Sequence, residues 1–214
     1  MPRTALVAGA TGLVGRALLK QLAASREYAE VRVLGRRPPS LEAGKIRFAA
    51  TDFTKLDALG ATLAADDVFC CLGTTIRKAG SEAAFERVDY HMVVDLARAA
   101  KKAGAKRFIV VSAAGASLKS PVFYPKVKAR MEQAVSEVPF EAVHVLRPSL
   151  LIGARDEFRP GEWLSQKLAP LLALFMVGPL KKYRPIRGEA VAEAMIELAL
   201  RGKAGAHVHH LPLG

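Results

Sequence analysis

Short apolar runs alternate with amphipathic stretches along most of the 214-residue chain. Thr4–Ala8, Val31–Leu34, Ile46–Ala49, Val68–Leu72, Phe108–Val111 and Ala142–Leu146 are runs of four or five residues, bounded by glycine, proline or charge. Such runs read as buried strands. Helical patterns lie between them. Leu13–Ala24 carries apolar residues at Val14, Leu18, Leu19 and Leu22, spaced to line one helix face. Leu56–Ala65 predicts a short helix, and Phe85–Ala103 a long one closed by Gly104. Pro125–Val135 and Glu189–Leu200 predict two more. Strands that are apolar without alternation belong to a parallel sheet covered on both faces. Six strand–helix units predict a doubly wound α/β fold of the Rossmann type, as one domain over residues 1–214. The pattern loosens after Pro148, and residues 151–188 are expected to form a small C-terminal cap on the substrate side.

Composition narrows the classes. With 51% hydrophobic and 24% charged residues the chain is globular rather than disordered. Its two cysteines, Cys70 and Cys71, are adjacent, which excludes a disulfide scaffold and suits a reducing compartment. A first strand at Thr4 leaves no room for a signal peptide. The longest apolar run, Leu168–Leu180, holds two prolines and is too short to span a bilayer. A soluble cytoplasmic protein with no membrane partner is expected, with Leu168–Leu180 as a candidate homodimer interface. The net charge is +12, spread as 18 basic against 11 acidic residues in 1–107 and 14 against 9 in 108–214. That excess suits an anionic ligand or an ordinary basic surface. Lys101, Lys102, Lys106 and Arg107 cluster at a helix end without interleaved aromatics, so no nucleic-acid partner is expected.

Candidate chemistry begins at Gly9-Ala-Thr11-Gly12-Leu13-Val14-Gly15, between the first strand and the first helix. The first glycine allows a tight turn, the second a close phosphate approach, and the third close helix–strand packing. The helix start then offers free N–H groups and a positive dipole end to a pyrophosphate. This G-x-x-G-x-x-G spacing resembles the extended and atypical short-chain dehydrogenase/reductase groups. NAD enzymes place an acid at the end of the second strand to hold the ribose 2′-hydroxyl. Here Arg36 and Arg37 follow Gly35, and two guanidiniums suit a 2′-phosphate, so NADP is the expected cofactor. Asp52 and Phe53, after the third strand, are candidates to face the adenine. Leu72, Gly73 and Thr74, after the fourth, are candidates to run past the cofactor ribose.

Ser112 ends the fifth strand, and Tyr124 and Lys128 follow with a Tyr-x-x-x-Lys spacing. That spacing stacks phenol and ammonium one helical turn apart. The phenol can then exchange a proton, the lysine can hold the nicotinamide ribose, and the serine hydroxyl can donate to a substrate oxygen. Proline at 125 favours Tyr124 at the helix N-cap, and Lys128 is expected on an exposed side of the helix.

Further stretches carry a more specific resemblance. Cys71-Leu-Gly-Thr-Thr75, Lys78-Ala-Gly80, Val88-Asp-Tyr90, Arg147-Pro148 and Arg159-Pro-Gly-Glu-Trp163 resemble the Tat-interacting-protein oxidoreductase-like group of atypical short-chain dehydrogenases. The similarity runs over roughly residues 4 to 200. It implies a Rossmann fold, NADPH binding and a reductase activity on a small-molecule substrate, a carbonyl compound or a sugar nucleotide. It also implies an alternative, an NADPH-binding regulatory or scaffold protein with little turnover. The better-known short-chain dehydrogenases add a catalytic Asn on the helix after the fourth strand. This chain contains no Asn and offers Asp89, Tyr90 or His91 there.

Three weaker readings complete the picture. Arg155, Arg159 and Trp163 are candidates to line a substrate pocket, since α/β sheets bind ligands beyond the carboxyl ends of their strands. His207, His209 and His210 are expected in a surface tail. No metal site is expected.

Overall fold

The computed structural model describes residues 2–152 and 185–211. The elements run β1 (Arg3–Ala8), α1 (Leu13–Ala24), β2 (Tyr28–Gly35), β3 (Ile46–Ala50), a 3₁₀ stretch (Leu56–Leu63), β4 (Asp67–Cys70), α2 (Ile76–Ala79), α3 (Glu82–Glu86), a π turn (Arg87–His91), α4 (Met92–Lys102), β5 (Arg107–Val111), α5 (Phe123–Ser136), β6 (Ala142–Arg147), β7 (Leu151–Ile152), β8 (Ile186–Arg187), α6 (Gly188–Arg201) and β9 (Gly205–His210). Seven strands form one sheet in the order β3-β2-β1-β4-β5-β6-β9. Every pairing in it is parallel. The chain winds outward from β1 to β3, then crosses to β4 and winds the other way. This doubly wound order opens a crevice at the carboxyl ends of β1 and β4.

The continuous apolar runs follow from two cores. Leu6 and Ala8 pack into a cluster with Val68, Val94, Leu96, Phe108 and Met131. Ala5 and Val7 point the other way, into a cluster with Leu18, Leu19, Leu22, Val191 and Met195. All four β1 residues are inaccessible to solvent. Helix α6 closes against α1 at Gly188, where a Cβ would stand 3.0 Å from Leu13 Cγ. The amino ends of the strands are pinned at Asp67, which accepts hydrogen bonds from Arg3 and Tyr28, both at 2.9 Å. Burial pushes the Asp67 carboxyl up to about 6 despite Arg3, and pushes the Tyr28 phenol upward too.

Several expectations need correction. The Phe85–Ala103 helix starts earlier, at Glu82, and holds a π turn at Arg87–His91, and the Leu56–Ala65 helix is a 3₁₀ stretch kinked at Gly60, with φ +48°. His207, His209 and His210 are not in a tail but in β9, the seventh strand. Pairing with β6 supplies the backbone partners that make a strand of this His-rich segment. His144 of β6 is fully buried, with Nδ1 3.0 Å from His209 Nε2 and its ring stacked on His207 at 5.7 Å between centroids. Among the described residues no His, Cys, Asp or Glu group is placed to hold a metal ion. No described helix is long and apolar enough to cross a membrane.

β7 pairs in parallel with β8, joining Leu151–Ile152 to Ile186–Arg187 at the ends of the expected cap. Arg155, Arg159, Trp163 and the Leu168–Leu180 run lie outside the described residues. Of the basic cluster, Lys102 pairs with Asp57, Lys106 with Asp66 and Arg107 with Asp67, while Lys101 lies over the Phe140 ring.

Candidate active site

The glycine loop is held by contacts no side chain could share. Gly9 has φ +82°, and a Cβ there would lie 2.5 Å from the Cys71 backbone. A Cβ on Gly15 would lie 2.1 Å from the Gly9 carbonyl oxygen. The loop therefore packs backbone to backbone against both the end of β4 and the start of α1. Gly12 stands at the α1 N-cap in extended conformation and offers no capping side chain. Its Cβ position is almost clear, with only the Gly9 oxygen at 3.5 Å. The helix start is thus an uncapped set of N–H donors behind an open backbone, which fits a pyrophosphate.

Around it lies a cavity of about 420 Å³ lined by Thr11, Gly12, Leu13, Val14, Leu72, Gly73, Thr74, Ser112, Tyr124 and Lys128, with Asp89. Loops after β1, β4, β5 and β6 meet there, at the carboxyl ends of the strands. Arg36, Arg37 and Asp52 do not line this cavity. Arg36 and Arg37 are exposed just beyond the carboxyl end of β2. Asp52 is exposed and accepts from the Thr54 hydroxyl at 2.6 Å and the Thr54 N–H at 3.0 Å, which holds its carboxyl below the usual range. Phe53 is buried in a left-handed conformation, φ 66°, which is costly for an aromatic residue. It lines a second hollow of about 550 Å³ between the 3₁₀ stretch and α4, outside the first cavity.

Tyr124 and Lys128 stand on α5, which begins one residue before the tyrosine, with Val122 as its N-cap. Tyr124 is therefore inside the first turn and not at the cap; Pro125 costs nothing there, because first-turn N–H groups have no helical partner. The Tyr124 ring packs on Phe85 with centroids 5.3 Å apart. Lys128 is not on an exposed side. It is buried, with Nζ 2.6 Å from Asp89 Oδ1. The other Asp89 oxygen accepts the Thr74 N–H at 2.8 Å. Burial pulls the Lys128 ammonium down, but Asp89 first and then Tyr124 outweigh it and hold it above the ordinary lysine value. Asp89 is itself fully buried within the π turn, a distortion of the kind that often marks functional sites.

Ser112 is buried at the end of β5, and its hydroxyl donates to Glu132. Glu132 in turn takes a two-pronged bond from Arg147, with Nε at 3.0 and 3.2 Å and Nη2 at 2.5 Å. This corrects the expectation that the serine proton points to substrate. Glu132 follows Lys128 by one helical turn on the same face, a Tyr-Lys-Glu stripe at i, i+4 and i+8 legible in the sequence but not singled out. Burial pushes Cys70 up to about 12 and raises Cys71 as well.

Residues 9–151 match the model of a protein family described as NAD(P)H-binding. The chain belongs to this NAD(P)H-binding family. The rat protein HTATIP2 is 38% identical over 169 residues, covering 77% of this chain and 69% of that protein. The mitochondrial protein FMP52 of Lodderomyces elongisporus is 31% identical over 217 residues, covering 96% of this chain and 90% of that protein. The resemblance to the Tat-interacting-protein group is thereby established. Among solved structures, the dTDP-glucose 4,6-dehydratase DesIV of Streptomyces venezuelae, with NAD and TYD bound, superposes with a TM-score of 0.73 at 18% identity, covering 97% of this chain and 75% of that one. The epimerase Mth375 of Methanothermobacter thermautotrophicus gives 0.74 at 16%, covering 98% and 71%. Both confirm the Rossmann fold of this family member.

Proposed function

We propose that this NAD(P)H-binding protein is an NADPH-dependent oxidoreductase that reduces a carbonyl group on a small molecule. One observation carries the reading: the uncapped glycine loop and the Tyr124–Lys128 pair open onto one cavity at the sheet's switch point. The α1 N–H groups would hold the pyrophosphate, and Arg36 and Arg37 the 2′-phosphate. Lys128 and the Leu72–Thr74 backbone would hold the nicotinamide-side ribose. A bound nicotinamide supplies hydride. Tyr124 gives its hydroxyl proton to the carbonyl oxygen, and Lys128 fixes the local charge as it does so.

DesIV is named a dTDP-glucose 4,6-dehydratase, which brings sugar nucleotides into the substrate panel beside simpler carbonyls. The fungal relatives carry a mitochondrial label. For this chain our reading is the cytoplasm, and cell fractionation tests it. The activity is tested by following NADPH absorbance against a carbonyl and sugar-nucleotide panel. Oxidation of NADPH with one panel member, faster than with NADH, supports the reading. Tight NADPH binding without turnover of any member replaces it with the regulatory one.

A further inference from the structure

The Ser112 hydroxyl has one proton, and it is spent on Glu132. Glu132 is nine-tenths buried or more and faces the Arg147 guanidinium, which can only donate. A carboxylate held by that fork only accepts, so the serine proton has no second choice. What Ser112 turns towards the cavity is lone pairs. Tyr124, which lines the same cavity, has a phenolic proton to give.

The cavity therefore presents one donor and one acceptor among its lining residues. A carbonyl oxygen suits Tyr124, but against Ser112 it would set lone pairs against lone pairs. A buried acceptor left without a donor costs free energy, and sites built this way reject ligands lacking the matching hydroxyl. A ligand that satisfies both groups carries a carbonyl and a hydroxyl.

We propose that Glu132 and Arg147 are positioning residues that make Ser112 an acceptor towards the cavity, so that the substrate is a hydroxy carbonyl compound. This rests on the reductase reading above and names its substrate class.

The test uses a matched pair, 2-hydroxyacetophenone and acetophenone, which differ by one hydroxyl. Binding of each to the NADP⁺-loaded protein is measured by ligand-observed NMR, because NADP⁺ cannot deliver hydride to them. Turnover with NADPH is measured separately. The hydroxylated member should bind at least about tenfold more tightly. Ser112→Ala, checked for its fold by circular dichroism, should erase that preference. Glu132→Gln should reverse it. The glutamine keeps its oxygen on Arg147 and turns its amide N–H to Ser112, which frees the serine proton for the cavity. A purely structural Glu132 would weaken both members alike and leave their ratio unchanged. Equal binding of the pair by the wild type, binding of neither, or a preference that survives Ser112→Ala overturns the proposal. A hydroxyl preference without turnover of either member overturns only the reductase reading. Turnover without a preference overturns only this one.

Discussion

The Lys128 ammonium and the Asp89 carboxylate face each other at 2.6 Å with only 5% and 1% of their side chains exposed. Neither charge could stand there alone, because an uncompensated buried ion is expensive. Asp89 also ties down the Thr74 N–H, so the pair fixes the loop that borders the cavity.

Asp89→Ala is expected to cost about 3–5 kcal/mol of stability, read from urea unfolding. The double variant Asp89→Asn/Lys128→Met should recover most of that loss, because it removes both charges. The folded ammonium holds its proton more tightly than an unfolded one. Its contribution is therefore complete at neutral pH and is lost only as pH rises through the alkaline range. Wild-type stability in Asp89→Ala would remove the pair from the account of the fold.

Tyr124→Phe keeps the ring against Phe85 and removes only the hydroxyl. Turnover of an accepted carbonyl should fall by about a hundredfold or more, the usual scale for a lost general acid. NADPH affinity and melting temperature should stay close to wild type. A variant that turns over at the wild-type rate would take the proton donor's role away from Tyr124.

Arg36 and Arg37 are exposed beyond β2, and no acid lies between Val31 and Leu41. NADPH is expected to bind more tightly than NADH in fluorescence titrations. Arg36→Ala should narrow the gap by weakening NADPH alone. Equal affinities in the wild type would count against the 2′-phosphate clamp.

His144 is buried between His207 and His209, and burial pushes its pKa down to about 4. The unfolded imidazole titrates at its ordinary value near 6.5 and takes a proton first as pH falls. His144 therefore stabilises the fold fully above about pH 6.5, and that contribution drains away down to about pH 4. The loss should reach about 1–3 kcal/mol, followed as unfolding free energy between pH 7 and 4. His144→Leu should flatten this slope. An equally steep slope in that variant would place the titrating group elsewhere.

The parallel sheet was legible because each strand is buried on both faces, so its residues are apolar without a break. The glycine loop was legible because Gly9 and Gly15 answer to backbone contacts only glycine can make. Lys128's burial was not, because its partner Asp89 comes from another helix and reaches it through a π turn that no local pattern announces. The direction of the Ser112 proton was hidden for the same reason: Glu132 and Arg147 meet it only in space. β9 was missed because His-Val-His-His becomes a strand through β6 and not through its own propensity. Tyr124 escaped the N-cap because α5 starts one residue earlier, at Phe123.

The parallel pairing of β7 with β8 brings the chain back beside its own point of departure. Leu151 and Ile186 are separated by a long stretch of sequence and by about one strand spacing, ~4.8 Å, in space. To the sheet, everything between them is a single insertion at one port. Loop closure grows only slowly with length, about 0.6 kcal/mol for each doubling, so this port tolerates inserts of very different size. Exchanging residues 153–185 for the corresponding stretch of a relative should leave the cofactor crevice standing. Chimaeras joined at Ile152 and Ile186 test whether the crevice stands whichever stretch links the two strands.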